Sequence, residues 1–140
     1  MKPSDARTSD GLTNRMPIRE KTLADWARAA ARAADDKLGH ETVVIDVGEV
    51  LSITDFFVVT SGRTPRQVRS IVEGIEEQLR ILDCPKPLRV EGQDNHRWVL
   101  IDYGGFVVHV LDEESRRLYG LERLWSDCQR VDWWESEEDS

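Results

Sequence analysis

One stretch in the second half of the chain constrains the fold more than any other. Residues 98–110 read WVLIDYGGFVVHV, two runs of β-branched, aliphatic and aromatic residues separated by Gly104 and Gly105. Two such runs joined by a Gly-Gly pair predict a β-hairpin, because both positions of the favoured two-residue turn need a positive φ. The chain is therefore expected to fold around a sheet that contains this hairpin.

The hairpin has two unlike faces. If the turn is Gly104-Gly105 alone, one face carries only side chains typical of a core: Val99, Ile101, Tyr103, Phe106, Val108 and Val110. The other face mixes large apolar groups with an acid and an imidazole: Trp98, Leu100, Asp102, Val107, His109 and Leu111. A hairpin apolar on both faces is normally central and covered on each side. The alternative is that the face with Trp98, Leu100, Asp102 and His109 is partly uncovered and forms a docking patch.

Three helices and three further strands are predicted around the hairpin. The helices begin at Thr22, at Thr64 and after Asp112, where capping residues precede apolar side chains at helical spacing. The further strands are predicted at residues 42–47, 56–60 and 88–90. The order α-β-β-α-β-β-β-α predicts a single α/β domain in which helices flank a mixed sheet.

Both ends of the chain lack hydrophobic periodicity. Residues 1–21 are polar and are predicted to be a disordered extension. Residues 129–140, which end in an acidic run, are predicted to be a disordered tail. The folded domain is therefore expected to span residues 22–128.

Charge and composition exclude several classes of function. The 140 residues carry a formal net charge of −8, which disfavours non-specific nucleic-acid binding and is compatible with a basic protein partner. No apolar run approaches the length of a membrane span, and no secretory signal is present. Cys84 and Cys128 lie far apart without a CxxC pair, so a zinc site is not expected. A reducing cytoplasm is the expected location.

The loop before the second helix is a candidate anion site. A glycine-containing loop that runs into a helix N-terminus can bind an anion through free N–H groups, and here it would use Gly62, Arg63, Thr64 and Arg66. The loop has a single glycine and no P-loop pattern, so an ordinary capped helix is the favoured interpretation.

Catalytic and metal sites find little support. Asp102 and His109 are diagonal neighbours on the hairpin, roughly 7–8 Å apart at Cα, and Ser61 is the nearby loop serine, but it lacks a GxSxG elbow. His40, His96 and His109 lie on three separate elements without metal-ligand spacing. No catalytic residue, metal or cofactor is therefore predicted.

A further basic set offers an RNA-binding alternative: Arg63, Arg66, Arg69, Arg89 and Arg97. On an acidic protein these arginines could touch RNA locally, whereas a solvated helix face is the simpler interpretation.

Several motifs together resemble one known family. The segments LSITDFFVV, SGRTPRQVRSI, VEG, WVLIDYGGFVVHV and EESRRLYGLERLW occur in the order and at the spacing of the Iojap family, also called the ribosomal silencing factor (RsfS-like) family. The resemblance runs from about Thr22 to Trp125. It implies a mixed α/β domain similar to nucleotidyltransferases but without their catalytic carboxylate pair. This chain likewise has no DxD or DxE on the hairpin, where Asp102 stands alone, so an enzyme is not expected.

The resemblance also implies a function and a set of contact residues. Family members bind the large ribosomal subunit through ribosomal protein fourteen, block joining of the small subunit and repress translation when nutrients are short. Crystallised members are often dimers, so a homodimer is expected when the protein is free. By position, the implied partner-binding residues are Trp98, Asp102, His109 and Tyr119, and Leu100 shares their face. Gly105 departs from the family, which usually has Asp or another polar residue there.

Two other functions compete with this one. A nucleotidyltransferase-like, phosphate-handling enzyme would use the loop at residues 60–66, and an RNA-binding module would use the arginine set. The missing carboxylate pair disfavours the first, since a two-metal site needs several hard oxygen ligands. The negative net charge disfavours the second.

Overall fold

The computed structural model describes residues 21–134, without the side chains of Glu122 and Leu124. Its helices are α1 (Leu23–Asp36), α2 (Pro65–Ile81), α3 (Glu113–Tyr119) and α4 (Leu121–Leu124). Its strands are β1 (His40–Asp46), β2 (Phe56–Gly62), β3 (Arg89–Glu91), β4 (Trp98–Asp102), β5 (Phe106–Asp112) and β6 (Gln129–Val131). Almost all of the predicted N-terminal extension, and residues 135–140 of the predicted tail, lie outside the described residues.

The helices begin where their capping residues predict. Thr22 Oγ1 accepts from the Asp25 N–H at 3.1 Å, and the Asp25 carboxylate accepts from the Thr22 N–H at 2.9 Å. This is a complete capping box, which satisfies two backbone donors that the helix itself cannot pair. Helices α2 and α3 are capped from one side only: Thr64 Oγ1 accepts from the Gln67 N–H, and Asp112 Oδ1 accepts from the Ser115 N–H.

The strands form one mixed sheet in the order β3-β4-β5-β2-β1-β6. The predicted hairpin is confirmed with its register, since Val99 lies opposite Val110 and Leu100 opposite His109. β2 and β5 are parallel at the centre of the sheet, whereas the other neighbouring strands are antiparallel. A single α/β domain with a mixed sheet, as predicted, is therefore what the chain forms.

The turn differs from its prediction in one respect. Gly104 has a φ of 91°, but Gly105 is not among the glycines with positive φ. A Cβ on Gly105 would instead come within 2.5 Å of Leu23 Cδ2, at the start of α1. The glycine at this position therefore leaves room for the Leu23 side chain rather than relieving backbone strain.

The two helices α1 and α2 cover one face of the sheet. The core between them contains alanines of α1, an aliphatic stripe of α2 and the apolar face of the hairpin. Ala27, Ala30 and Ala34 are fully buried, and side chains this small let the α1 backbone approach the sheet closely. The hairpin contributes five buried residues to this core: Val99, Ile101, Phe106, Val108 and Val110.

The opposite face of the sheet is covered less completely. A smaller cluster there consists of Ile45, Val47, Val59, Leu111 and Leu121. Helix α3 packs on this face at the end of β5, and Trp98, Leu100 and Asp102 of the hairpin stay half-buried. No helix within residues 21–134 is long and apolar enough to cross a bilayer.

The predicted third helix is broken into two. Gly120 adopts a left-handed conformation, with φ 59° and ψ 45°, and its N–H donates to the Arg116 carbonyl. This is the usual way in which a glycine ends a helix. Leu118, in the last turn of α3, is 76% exposed.

The prediction of a disordered tail from residue 129 is wrong for its first residues. Gln129–Val131 form β6, an edge strand antiparallel to β1. Trp133 follows it, packs against the α1 side of the core and donates its indole N–H to the Thr42 carbonyl at 3.0 Å. Arg28 of α1 donates to the Asp132 carbonyl at 3.0 Å. A strand of three residues, two of them exposed, is too short to produce a period-2 pattern in the sequence.

We predict that Trp133→Ala lowers the free energy of unfolding by roughly 2 kcal/mol, less than the 3–5 kcal/mol of a fully buried tryptophan. The variant loses both the packing of a half-buried ring and the hydrogen bond to Thr42. Trp134→Ala is the matched control, because its ring is 62% exposed, and a change below about 0.5 kcal/mol is expected. Urea denaturation measures both, and equal midpoints would show that β6 and Trp133 add nothing to the fold.

Candidate partner-binding face

The mixed face of the hairpin is only partly covered. Trp98, Leu100 and Asp102 project from β4 and are half-buried, opposite Leu111, His109 and Val107 of β5. Tyr119 of α3 adjoins this face and is 56% exposed. We call Trp98, Leu100, Asp102, His109 and Tyr119 the docking face. These residues, which sequence and resemblance predicted as partner contacts, lie together on one side of the sheet.

Trp98 is held in position by two neighbours. Its indole N–H donates to Nδ1 of His109 at 3.2 Å. Its ring lies 4.8 Å from the Tyr119 ring, measured between centroids, with an angle of 54° between the planes. Aromatic pairs at this separation add to the energy of burial alone. Trp98 therefore presents a large, pre-positioned aromatic surface.

His109 lies beneath Trp98 and is 7% exposed. The Phe57 ring of β2 meets it edge-on, with centroids 4.6 Å apart and an interplanar angle of 71°. Burial lowers the pKa of His109 to about 4, so the imidazole is neutral at physiological pH. Because Nδ1 accepts from the indole, the proton of the neutral ring resides on Nε2.

The Nε2–H of His109 is buried and has no hydrogen-bond partner within the described part of the chain. A buried donor without an acceptor costs free energy, and such groups are uncommon in folded proteins. Within the described residues, His109 is therefore hydrogen-bonded through Nδ1 and not through Nε2.

Asp102 has neighbours of its own. Its Oδ1 accepts from the Gly104 N–H at 2.8 Å, and its Oδ2 lies 3.3 Å from Nε of Arg89. The carboxylate thus holds the hairpin turn and pairs with β3. The candidate set of Ser61, Asp102 and His109 is not assembled, because Ser61 bonds instead to the His40 carbonyl and to Arg116.

One residue that supports this face was not predicted from the sequence. Phe57 packs on His109 and also on Trp125, whose ring centroid is 5.1 Å away. Phe57 could not be placed, because only the non-local pairing of β2 with β5 brings it to His109.

The N–H groups of the loop that leads into α2 already have hydrogen-bond acceptors within the protein. The Arg63 N–H donates to Gln67 Oε1 at 2.7 Å, and the Gln67 N–H donates to Thr64 Oγ1 at 3.1 Å. Arg63, Thr64 and Arg66 are exposed, whereas Gly62 is buried. These bonds match the ordinary capped helix, and the anion-binding role of the loop stays a prediction.

The other candidate sets are dispersed. Within residues 21–134, no three His, Cys, Asp or Glu side chains are arranged to hold a metal ion. Three of the five arginines considered for RNA lie beside acids: Arg69 with Glu73, Arg89 with Asp102, and Arg97 with Asp112. Such pairing reduces the positive potential available to a phosphate backbone.

We predict that the depressed pKa of His109 makes stability depend on pH. The unfolded chain takes up a proton on this residue near pH 6.5, whereas the folded chain does so only near pH 4. The unfolded state therefore binds more protons between these values, and the free energy of unfolding falls as the pH is lowered through that window. The loss should reach about 3 kcal/mol, at roughly 1.4 kcal/mol per pKa unit.

His109→Gln should flatten this dependence, and His96→Gln is the matched control. His96 lies in the loop between β3 and β4 and adjoins residues of α2, which covers the other face of the sheet. Urea midpoints at several pH values between 4 and 7 measure the effect. The same slope in wild type and His109→Gln would contradict the prediction.

Comparison with known proteins gives a consistent identification. The family model described as ribosomal silencing factor during starvation matches residues 20–140. The ribosomal silencing factor of Bacillus subtilis is 34% identical over 105 residues, which cover 75% of this chain and 88% of that protein. A protein of Mus musculus named mitochondrial assembly of ribosomal large subunit protein 1 is 33% identical over 89 residues, covering 62% of this chain and 39% of that protein.

The fold is shared as well. A crystal structure of a Chromobacterium violaceum protein superimposes with a TM-score of 0.72 and 25% sequence identity, over 83% of this chain and 95% of that one. The family match includes β6 and Trp133, in agreement with their place in the fold. Since the family model spans residues 20–140 and the Bacillus relative is matched over most of its length, the chain belongs to the ribosomal silencing factor family.

Proposed function

We propose that this protein binds the large ribosomal subunit through ribosomal protein fourteen, blocks joining of the small subunit and so represses translation under nutrient limitation. It acts as a binding protein without catalysis or cofactor, in the cytoplasm where ribosomal subunits join. The observation that carries the proposal is the docking face, with Trp98 held between His109 and Tyr119.

The composition of the docking face suits a protein partner. Interfaces are enriched in tryptophan, tyrosine and other aromatic residues at their centre, with polar groups around them. Trp98 and Tyr119 supply the aromatic surface, Leu100 an aliphatic one and Asp102 a negative charge. The face is held by the sheet and α3, which lowers the ordering cost of binding.

Charge and relatives favour a partner on the ribosome. The net charge of −8 complements a basic protein and speeds encounter with it. The relatives are named for ribosomal silencing and, in Mus musculus, for assembly of the mitochondrial large subunit. We therefore assign the contact to a ribosomal protein rather than to a specific nucleic-acid sequence.

The same face offers a route to self-association when the protein is free. Tyr119 and Leu118 are 56% and 76% exposed and lie beside each other on α3. A homodimer that covers them would compete with the ribosome for the docking face. Under this proposal the subunit-bound protein is a monomer.

We predict that Trp98→Ala loses affinity for the large subunit by roughly thirtyfold or more, the effect of removing an interface hot spot. Removing the indole eliminates the central aromatic surface and leaves His109 without its donor. Ile81→Ala is the matched control, because this side chain is 56% exposed at the end of α2, on the opposite side of the sheet. Co-sedimentation with separated ribosomal subunits measures the affinity.

A denaturation curve on the same variants separates docking from folding. Trp98 is half-buried, so its loss should cost less than the 3–5 kcal/mol of a core tryptophan, and the variant should stay folded. A folded Trp98→Ala protein that binds the large subunit at wild-type strength would remove Trp98 from the interface. Light scattering measures the joining of the two ribosomal subunits. Joining that is unchanged by the wild-type protein would refute the proposed block.

A further inference from the structure

A crevice opens at the carboxyl ends of the two parallel strands. The chain leaves β2 for α2 on one face of the sheet and leaves β5 for α3 on the other. Where successive connections depart to opposite faces, a cleft forms outside the strand ends, and open α/β sheets commonly bind ligands there. The crevice lies at the ends of interior strands and on the same face of the sheet as Trp98, because Ser61 lies opposite Leu111 and Leu111 lies opposite Trp98.

The crevice is polar and of useful size. Its volume is about 380 Å³, within the range of small-molecule sites. Six residues line it: His40, Glu41, Ser61, Glu113, Arg116 and Arg117. They come from β1, the end of β2 and helix α3, so residues distant in sequence converge on one space.

The floor of the crevice holds a buried cation. Arg116 is only 5% exposed, although arginine is rarely buried to this extent. One of its guanidinium nitrogens donates to the His40 carbonyl at 3.1 Å and to Ser61 Oγ at 3.2 Å. The Ser61 hydroxyl also bonds to the His40 carbonyl at 3.2 Å. The guanidinium and the hydroxyl are thus fixed side by side.

The rim carries a second cation and a paired acid. Arg117 is exposed at the mouth of the crevice. The Glu113 carboxylate lies 2.6 Å from Nδ1 of His40, so this acid already has a partner. Glu41 has a φ of 51° and lies where the β1–β2 register shifts. A bulge of this kind re-aims neighbouring side chains, and such bulges are frequent beside functional sites.

We propose that this crevice binds a small oxyanion group, a phosphate or a carboxylate, with Arg116 and Ser61 at its floor and Arg117 at its rim. Arg117 presents a rigid fork of donors that matches the oxygens of either group, and Arg116 adds a fixed positive charge at the floor. The serine hydroxyl turns from the His40 carbonyl to donate to the bound oxygen. The site adjoins the docking face, since Tyr119 lies one turn beyond Arg116 on α3, but it shares no lining residue with that face and neither proposal depends on the other.

The test is a titration of the full chain, followed by nuclear magnetic resonance of backbone amides and arginine side chains at constant ionic strength. The probes are inorganic phosphate and acetate, with chloride as the reference anion. Saturable shifts centred on Ser61, Arg116 and Arg117 are expected with at least one probe. The probe that binds more tightly identifies the group as phosphate or carboxylate.

Two variants and a matched control locate the binding. Arg117→Gln should weaken it by about fivefold, the upper range for one exposed charge pair, without disturbing the fold. Ser61→Ala should also weaken binding of the same probe. Arg66→Gln changes an exposed arginine at the start of α2 and should leave the affinity unchanged.

Three results would overturn the proposal. The first is the absence of saturable shifts with both probes. The second is unchanged affinity in both Arg117→Gln and Ser61→Ala. The third is a loss of affinity in Arg66→Gln alone, which would place the anion at the start of α2.

Discussion

The hairpin turn at Gly104 determines on which face of the sheet each side chain of β4 and β5 lies. Because side chains alternate along a strand, the register of β4 against β5 decides which residues enter the core and which form the docking face. A slip of one residue would send Val99 and Ile101 to the surface and Trp98 and Asp102 inward. The positive φ of Gly104 and the bond from its N–H to Asp102 hold the register that prevents this.

The features that sequence predicted well are local ones. Helix starts follow from the capping chemistry of Thr22, Thr64 and Asp112, and the hairpin follows from alternation about two glycines. Features that rest on distant pairing or on a short element were missed. Phe57 reaches His109 only through the parallel β2–β5 ladder, and the three residues of β6 join an edge without a pattern of their own.

The docking face likewise combines local features that the sequence predicts with non-local ones that it does not. Alternation alone placed Trp98, Leu100, Asp102 and His109 together, since they share one hairpin. Tyr119 came from the family resemblance, because its position depends on how α3 folds back over β5. The environment of His109 was beyond sequence reasoning as well: burial beside Phe57 sets its pKa, and Trp98 determines which ring nitrogen carries the proton.

The parallel ladder has a consequence for how the chain folds. The hairpin joins near neighbours and can form within microseconds, but β2 pairs Phe56 with Phe106, roughly 50 residues later. Closing so long a loop costs entropy before any contact compensates for it, and such pairings slow folding. Phe57 supports His109 only after this closure. A partly folded chain that already has its hairpin therefore lacks the completed support for Trp98, and competence to bind arises only once β2 has paired with β5.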